Sequence, residues 1–331
     1  MRIAVLLGGD SDERDVSLVS GCQVADALRQ GGHDVVCVDP VKGVVQELGE
    51  RIILKSGVQA LPPDGFVGDG ALSPTDLIQH EEIARADVVF SALHGGMGED
   101  GTLQALLDLA GIRYTGSGML GCALSMDKDV TKRILRDAGI ATPDWLVSPT
   151  ADQVMERIGV PVIAKPVAGG SSVRLSLLQV EIEVMAAVAE DAKAPSPMMY
   201  EAYVEGREFT VGVLGDQVLP VGEIVSMHEL FDYECKYQGG MAEEIFPADI
   251  PEDLAATLQA QAREVHELLR LREFSRVDFM VDVAGDVWCL EANALPGLTG
   301  GSLLPKAARA GGISFPALCD EIVQMAVARE S

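Results

Sequence analysis

Asp278, Glu291 and Asn293 are two carboxylates and an amide carried on one short stretch, FSRVDFMVDVAGDVWCLEANALPG. The stretch alternates apolar and polar residues from Phe274 to Val283 and again from Val287 to Asn293, with Ala284 and Gly285 between, which is the pattern of a β-hairpin. A two-residue turn at Ala284-Gly285 sets Asp278 opposite Glu291 and Arg276 opposite Asn293, all four on one face. Like charges opposed across paired strands repel. A hard divalent cation such as Mg²⁺ accepts carboxylate and carbonyl oxygens and turns that repulsion into a site that serves phosphates, with Arg276 beside it as a phosphate donor. On spacing alone the alternative is an acidic, solvated hairpin face.

A second group of residues has the chemistry of a phosphate cradle. The loop Lys165-Pro-Val-Ala-Gly-Gly-Ser-Ser172 lacks the G-x-x-x-x-G-K-[ST] of a P-loop, and the residues after it, VRLSLL, suit a strand where a P-loop opens a helix. A glycine-rich turn between strands is either an ordinary flexible hairpin or a flap whose backbone N–H groups fold over phosphates. Lys128 and Lys165 are the cations such a site needs, Lys165 standing at the end of an apolar strand beside the loop. Glu201 and Glu208, in YEAYVEGREFTV, have the spacing to bond an adenine amine or ribose hydroxyls. GGDSDER at residues 8–14 follows the first strand but lacks G-x-G-x-x-G, and its acids repel a pyrophosphate. Glu13 there is either a helix cap or the holder of an ammonium group. His94, before Gly95-Gly96, is either a turn histidine or a partner for a carboxylate or phosphate.

The elements that must position these residues follow from periodicity. RIAVLLGG, VSLVSGCQVADALRQGG and HDVVCVDP give strand, helix and strand, and ADVVFSAL, HGGMGEDG and TLQALLDLAGI give strand, loop and a helix ended by Gly111. Between them a short strand is expected near RIILKSG and a helix from Pro74 to Ile83. SMDKDVTKRILRDAGI is expected as one helix closed at Gly139. VPVIAKP, VRLSLL, MMYEAYV and REFTVGVLGDQVLPVGEIV are strands, and EDLAATLQAQAREVHELLRL is the longest helix. The fold class is α/β. The expected units are 1–121, a doubly wound N-terminal domain; 122–215, a central unit with the glycine-rich flap; and 216–331, a C-terminal unit with the carboxylate hairpin.

Bulk properties narrow the function. The chain has 331 residues, enough for two or three compact units, and its net charge of -26 opposes binding to a nucleic-acid backbone. Six cysteines are scattered without C-x-x-C or zinc-type spacing, as expected of small buried side chains in a reduced compartment. The first apolar run is too short for a signal peptide and no later stretch approaches the ~18 apolar residues of a membrane span, so a soluble cytoplasmic protein without a membrane partner is expected.

In this order, the motifs LLGGDSDERDVSLVSG, LHGGMGEDGTLQALLDLAGIRYTGS, ALSMDK, EGREFTV, FDYECKY, SRVDFMVD and EANALPGLTGGSLLP resemble those of the D-alanine:D-alanine ligases of the ATP-grasp superfamily, over nearly the whole chain. The resemblance implies an ATP-grasp fold behind a Rossmann-like N-terminal domain, and the ADP-forming ligation of two D-alanines for peptidoglycan through an acyl phosphate. It further implies that Lys128, Lys165, Ser171, Glu201, Val204, Glu208 and Lys236 bind ATP, and that Asp278, Glu291 and Asn293 bind two Mg²⁺ or Mn²⁺. Glu13, with His94 close by, would hold the first D-alanine. Arg276 and the Gly297 amide would stabilise the oxyanion, and Ser302 and Leu303 would bind the second D-alanine. Ser171 and Tyr237 would make the loop contact that shuts the site, and a homodimer is expected. Tyr237 resembles ligases that take an amine acceptor; D-serine or D-lactate as acceptor, and a non-catalytic nucleotide sensor, are the alternatives. Three positions depart from the family pattern. Gly169 stands where an acidic residue is common, Arg174 replaces a glycine and so offers a contact to phosphate or to an acidic residue, and Ala294 replaces a threonine.

Overall fold

The computed structural model describes residues 1–58, 72–170, 174–193, 196–226 and 242–329. Three sheets organise them. The first runs β3-β2-β1-β4 and contains β1 (Arg2–Leu6), β2 (Asp34–Asp39), β3 (Gly43–Val45) and β4 (Val88–Ser91), with β1 parallel to both β2 and β4. Strands covered on both faces need continuous apolar sequence, and Ile3 to Leu6 and Val88 to Phe90 are fully buried. The helix Arg14–Gln30 crosses over from β1 to β2. Ser17 ties its first turn to two strand ends, accepting from the Gly8 amide at 2.8 Å and donating to the Ala92 carbonyl at 2.5 Å.

The second sheet is antiparallel, ordered β5-β8-β6-β7 from β5 (Trp145–Val147), β6 (Val162–Pro166), β7 (Ser176–Leu178) and β8 (Met198–Ala202). The glycine-rich loop thus connects two paired strands, β6 and β7. The third sheet is ordered β12-β11-β9-β13-β14. It comprises β9 (Gly206–Leu214), β10 (Gln217–Val218) on the side of β9, β11 (Gly222–Ser226), β12 (Ala242–Ile245), β13 (Phe274–Asp282) and β14 (Val287–Asn293). Gly206–Leu214, grouped with the central unit on sequence pattern, pairs along its length with β13 and lies inside this third sheet. The helix Glu252–Leu268 buries Leu258, Ala262 and Val265 against its face, in one core with Phe209, Val277 and Phe279.

Local structure corrects the sequence reading at three places. RIILKS is the end of a helix, Glu47–Ser56, and the short strand lies just before it at Gly43–Val45. Ile53 packs against the core and Glu50 is buried in a pair with Arg29, while Leu48, Ile52 and Leu54 are exposed. The expected helix from Pro74 to Ile83 is two short ones, Pro74–Gln79 and Glu81–Ala84, broken at His80. SMDKDVTKRILRDAGI is not one helix. Met119–Met126 ends at Asp127, whose side chain accepts from the Val130 amide at 3.0 Å and caps a new helix, Lys128–Asp137.

Candidate active site

The hairpin β13–β14 places Asp278 opposite Glu291 and Arg276 opposite Asn293, as the alternation predicted, by a different route. Asp282 pairs with Asp286 across the turn, leaving three residues, Val283, Ala284 and Gly285, between them. A three-residue turn alone would offset the ladder by one. The offset is cancelled by a register shift between Asp278 and Phe279, where Phe279 meets Cys289 and Leu290 is extra. The bulge also divides residues of one parity between two faces. Cys289 is fully buried in the core with Phe279, while Glu291 and Asn293 line a cleft with Arg276.

That cleft gathers residues from the loops and strands of all three sheets, the second contributing the flap glycines Gly169 and Gly170. The first sheet supplies Glu13 and His94, each on a loop that leaves a parallel strand end, the position where open α/β folds bind ligands. Asp39 fixes the Glu13 loop from behind. It pairs with buried Arg14 and accepts from the Gly9 and Val41 amides at 3.3 and 2.9 Å, and so holds the loop in place. Glu13 is 7% exposed and presses on two glycines: a Cβ at Gly170 would stand 2.8 Å from its Oε2, and one at Gly95 3.1 Å. His94 Nδ1 lies 3.2 Å from Glu99 Oε1, while its Nε2 is buried in the cleft wall without a hydrogen-bond partner among the described residues.

Lys128 joins flap to hairpin. Its ammonium donates to the Gly169 carbonyl at 2.6 Å and stands 3.7 Å from Glu291 Oε2. A cation at the first position of a helix opposes the helix dipole, which makes a solvated, purely structural lysine a poor account of it. The Lys128 amide donates to the Val167 carbonyl at 3.0 Å, so the flap base is clamped to the helix start. Gly169 has φ +138°, a region that side chains rarely adopt, so an acidic residue there would be strained. Arg174, the other departure in the flap, has φ +60° and pairs with Asp191 at 3.4 Å, at the end of the helix Glu181–Asp191. Ala294 is buried in the cleft wall.

Behind the flap lies a buried charge cluster. Lys165 donates to Glu201 Oε1 at 2.7 Å, and Lys132 donates to Glu201 Oε2 and to Thr142 Oγ1, the latter at 2.6 Å. Burial alone pushes the Glu201 carboxyl up, but the two ammonium groups outweigh it and hold its pKa below the usual range. Burial lowers Lys165 too, and there Glu201 and Glu291 reverse the sign and raise it. For Lys132 burial wins and the pKa falls. Lys132 was not among the residues picked out from the sequence. Its signal was helical spacing: four residues after Lys128 and three before Leu135, it lies on the inward face of KDVTKRILRD, all three being buried.

The other expected residues are placed as follows. Asp278 sits under the cleft floor, receiving Arg276 Nε at 2.9 Å and Nη2 at 2.7 Å and the Thr210 hydroxyl at 2.7 Å. Asn293 Oδ1 accepts from the Leu295 amide at 2.9 Å, which fixes its orientation and leaves a second lone pair on the oxygen. Two carboxylates and an amide oxygen form the donor set that suits a hard divalent cation. Gly297 lines the cleft with Ser302 behind it, whose Oγ is 2.9 Å from where a Cβ at Gly297 would be. Ser302 precedes the helix Leu303–Ala310; its hydroxyl bonds Thr299, and the Leu303 side chain is buried with Ile224, leaving the helix-start amide as the group able to meet a carboxylate. Val204 lies in the joint between β8 and β9 and Glu208 within β9, and neither lines the cleft, nor do the buried Lys165 and Glu201. Ser171, Lys236 and Tyr237 lie outside the described residues. Glu99, also unforeseen, lines the cleft as the partner of His94.

Known proteins share this fold. Residues 2–117 match the family model of the D-ala D-ala ligase N-terminus, and residues 134–324 that of the C-terminus. The D-alanine–D-alanine ligase of Moorella thermoacetica is 38% identical over 340 aligned residues, covering 99% of this chain and 99% of that protein. That of Aquifex aeolicus is 38% identical, covering 98% of this chain and 100% of that protein. Among solved structures, the D-alanine–D-alanine ligase of Bacillus anthracis complexed with ATP superposes with a TM-score of 0.78 at 30% identity, over 99% of this chain and 97% of that one. The VanG D-Ala:D-Ser ligase of Enterococcus faecalis gives 0.81 at 28% identity, over 98% of each chain. Both halves of the chain, and the sheets that meet at its cleft, thus carry the marks of one lineage: the chain belongs to the D-alanine–D-alanine ligase family and has its ATP-grasp fold.

Proposed function

We propose that the chain ligates two D-alanines with ATP, giving D-alanyl-D-alanine, ADP and phosphate for peptidoglycan precursor synthesis. The observation that carries this reading is the single cleft in which Glu13 and His94 from the first sheet face Lys128, Gly170, Arg276, Glu291 and Asn293. ATP lies between the second and third sheets, its phosphates toward Lys128 and Lys165 and its adenosine toward the β8–β9 joint at Glu201, Val204 and Glu208. Lys236 adds a further cation from outside the described residues. The bound carboxylate of the first D-alanine, its ammonium held by Glu13, attacks the γ-phosphate to give an acyl phosphate. Amine attack by the second D-alanine, seated by Ser302 and the Leu303 amide, forms a tetrahedral centre whose oxyanion meets Arg276 and the Gly297 amide. Asp278, Glu291 and Asn293 are the residues to hold Mg²⁺ or Mn²⁺, which when bound neutralises phosphate charge during transfer. Closure of the flap by Ser171 and Tyr237 keeps water from the acyl phosphate.

Three units accord with the three sheets, and a cytoplasmic place accords with the soluble substrates; no helix of the described residues is long and apolar enough to cross a membrane. The likeness to a D-Ala:D-Ser ligase supports a second reading, with D-serine as acceptor. Phosphate release with ATP, Mg²⁺ and a panel of D-amino and D-hydroxy acids, with products weighed by mass spectrometry, decides between them. Release with D-alanine alone, giving the dipeptide, is expected. Preference for D-serine or D-lactate selects another acceptor, and no release with any acid overturns the reading.

A further inference from the structure

Lys132 holds a charge where a protein seldom puts one, at 0% exposure in the helix Lys128–Asp137. An ammonium has three donors. Here two go to Glu201 Oε2 and Thr142 Oγ1, and the nitrogen stands 5.1 Å from the centroid of the Trp145 ring, within cation–π range. Removing an ion from water costs several kcal/mol, and buried ion pairs are often replaced by apolar side chains at no loss of stability. Stability is therefore a weak account of Lys132.

Charge balance is a better one. Glu201 gives one oxygen to Lys165 and the other to Lys132. Without Lys132, Glu201 and Lys165 would form a closed pair of no net charge, and the lysine that ends β6 just before the flap would have little field left for an anion. With Lys132 present, the carboxylate is shared between two cations and the cluster has a surplus positive charge. Lys165 is the least buried member of the three, at 7% exposure, and its backbone continues into the flap base. We infer that Lys132 is a positioning residue for nucleotide binding: by sharing Glu201 it keeps the charge and orientation of Lys165 available to the phosphates of ATP. This rests on the reading of the cleft as an ATP site.

The test is a double-mutant cycle on the full chain, with ATP affinity measured by calorimetry in Mg²⁺ and the folded state followed by thermal melting. Lys132→Met fills the same space and leaves Glu201 paired with Lys165, so no lone buried charge is created. ATP affinity should fall about tenfold or more, the scale of one lost interaction with an ionised group, while the KM for D-alanine moves by less than about twofold. In a Glu201→Gln background, adding Lys132→Met should change ATP affinity by less than about twofold, because no carboxylate remains to be shared. Unchanged ATP affinity in Lys132→Met, as a neutral amine at 132 would give, overturns the inference. So does an equal loss in both backgrounds, the mark of a residue that only supports the core. If Lys132→Met fails to fold, Lys132→Gln, which keeps a donor for Glu201 and Thr142 but carries no charge, takes its place, and unchanged ATP affinity there overturns the inference equally. A wild-type chain that binds no ATP would instead refute the reading of the cleft.

Discussion

Two charged clusters, one in the cleft wall and floor and one buried behind the flap, are built on opposite plans. The hairpin sets two carboxylates, Asp278 and Glu291, against one guanidinium, Arg276; the second sheet sets two ammoniums, Lys132 and Lys165, against one carboxylate, Glu201. The first has a surplus of negative charge and keeps Glu291 open, its side chain 33% exposed. The second has a surplus of positive charge and is shut, with Glu201 only 3% exposed. Lys128 joins the flap to the first, donating to the Gly169 carbonyl and approaching Glu291. A bound nucleotide and its cations have complementary needs. On the proposed reading the acidic side is the one that a cation would complete, whereas the basic side is saturated by protein partners and presents a field fixed in advance. The difference separates a ligand shell from a source of potential within one site.

The hairpin itself holds both kinds of residue, and the largest expected effects distinguish them. Asp278→Asn removes the partner of a buried guanidinium that donates to both its oxygens. Turnover should vanish and stability should fall by about 3–5 kcal/mol, the cost of breaking one half of a buried pair. Chemical denaturation and phosphate release measure the two losses. Glu291→Gln lies on the open part of the same face. Its turnover should fall by about three orders of magnitude, the several kcal/mol a bound metal contributes, while the denaturation midpoint changes little. Retained activity in Glu291→Gln would remove it from the metal site, and an Asp278→Asn chain as stable as wild type would erase the contrast.

The meeting of flap and first sheet should show a smaller effect. Gly170 touches the carboxylate of Glu13 so closely that a methyl group must displace it. Because the displaced atoms are the end of a flexible side chain, the fold should tolerate Gly170→Ala. Steady-state kinetics should show kcat/KM for D-alanine falling roughly ten- to hundredfold, since small misplacements of a positioning group are costly to reactivity, with the melting temperature nearly unchanged. Wild-type kinetics in Gly170→Ala would mean that Glu13 does not hold substrate where it now stands.

What the sequence disclosed, and what it hid, follows the same physical lines. Period-2 alternation disclosed the shared face of Arg276, Asp278, Glu291 and Asn293, because parity survives any even error in the turn. It hid the bulge at Leu290, because one extra residue in the turn and one in the strand cancel. The strand–loop–helix order of the first sheet was legible from apolar runs, whereas RIILKS was not, its β-branched residues favouring a strand where the chain forms a helix anchored by Ile53 and the Glu50–Arg29 pair. Lys132 was hidden by its neighbours. In DKDVTKRILRD a lysine looks solvated, and only the pairing of β6 with β8, which brings Lys165 and Glu201 beside it, gives its charge a partner.

The smallest effect is expected at Arg174, where the flap departs from the family pattern on the solvent side. Its φ of +60° costs an L-residue about 1–2 kcal/mol, a strain that glycine would relieve. Glycine in turn frees the unfolded chain, a loss of about 0.4–1 kcal/mol, and forfeits the pair with Asp191, which at 3.4 Å and with Arg174 42% exposed is worth at most about 1 kcal/mol. The terms nearly cancel, so Arg174→Gly should melt within a few degrees of wild type. The guanidinium is engaged at the end of the helix Glu181–Asp191, outside both charged clusters. ATP KM and kcat should therefore stay within about twofold, as for a surface substitution away from the site. A tenfold rise in ATP KM would instead place Arg174 on the nucleotide when the flap closes, adding a cation to the basic side that this flap geometry keeps apart.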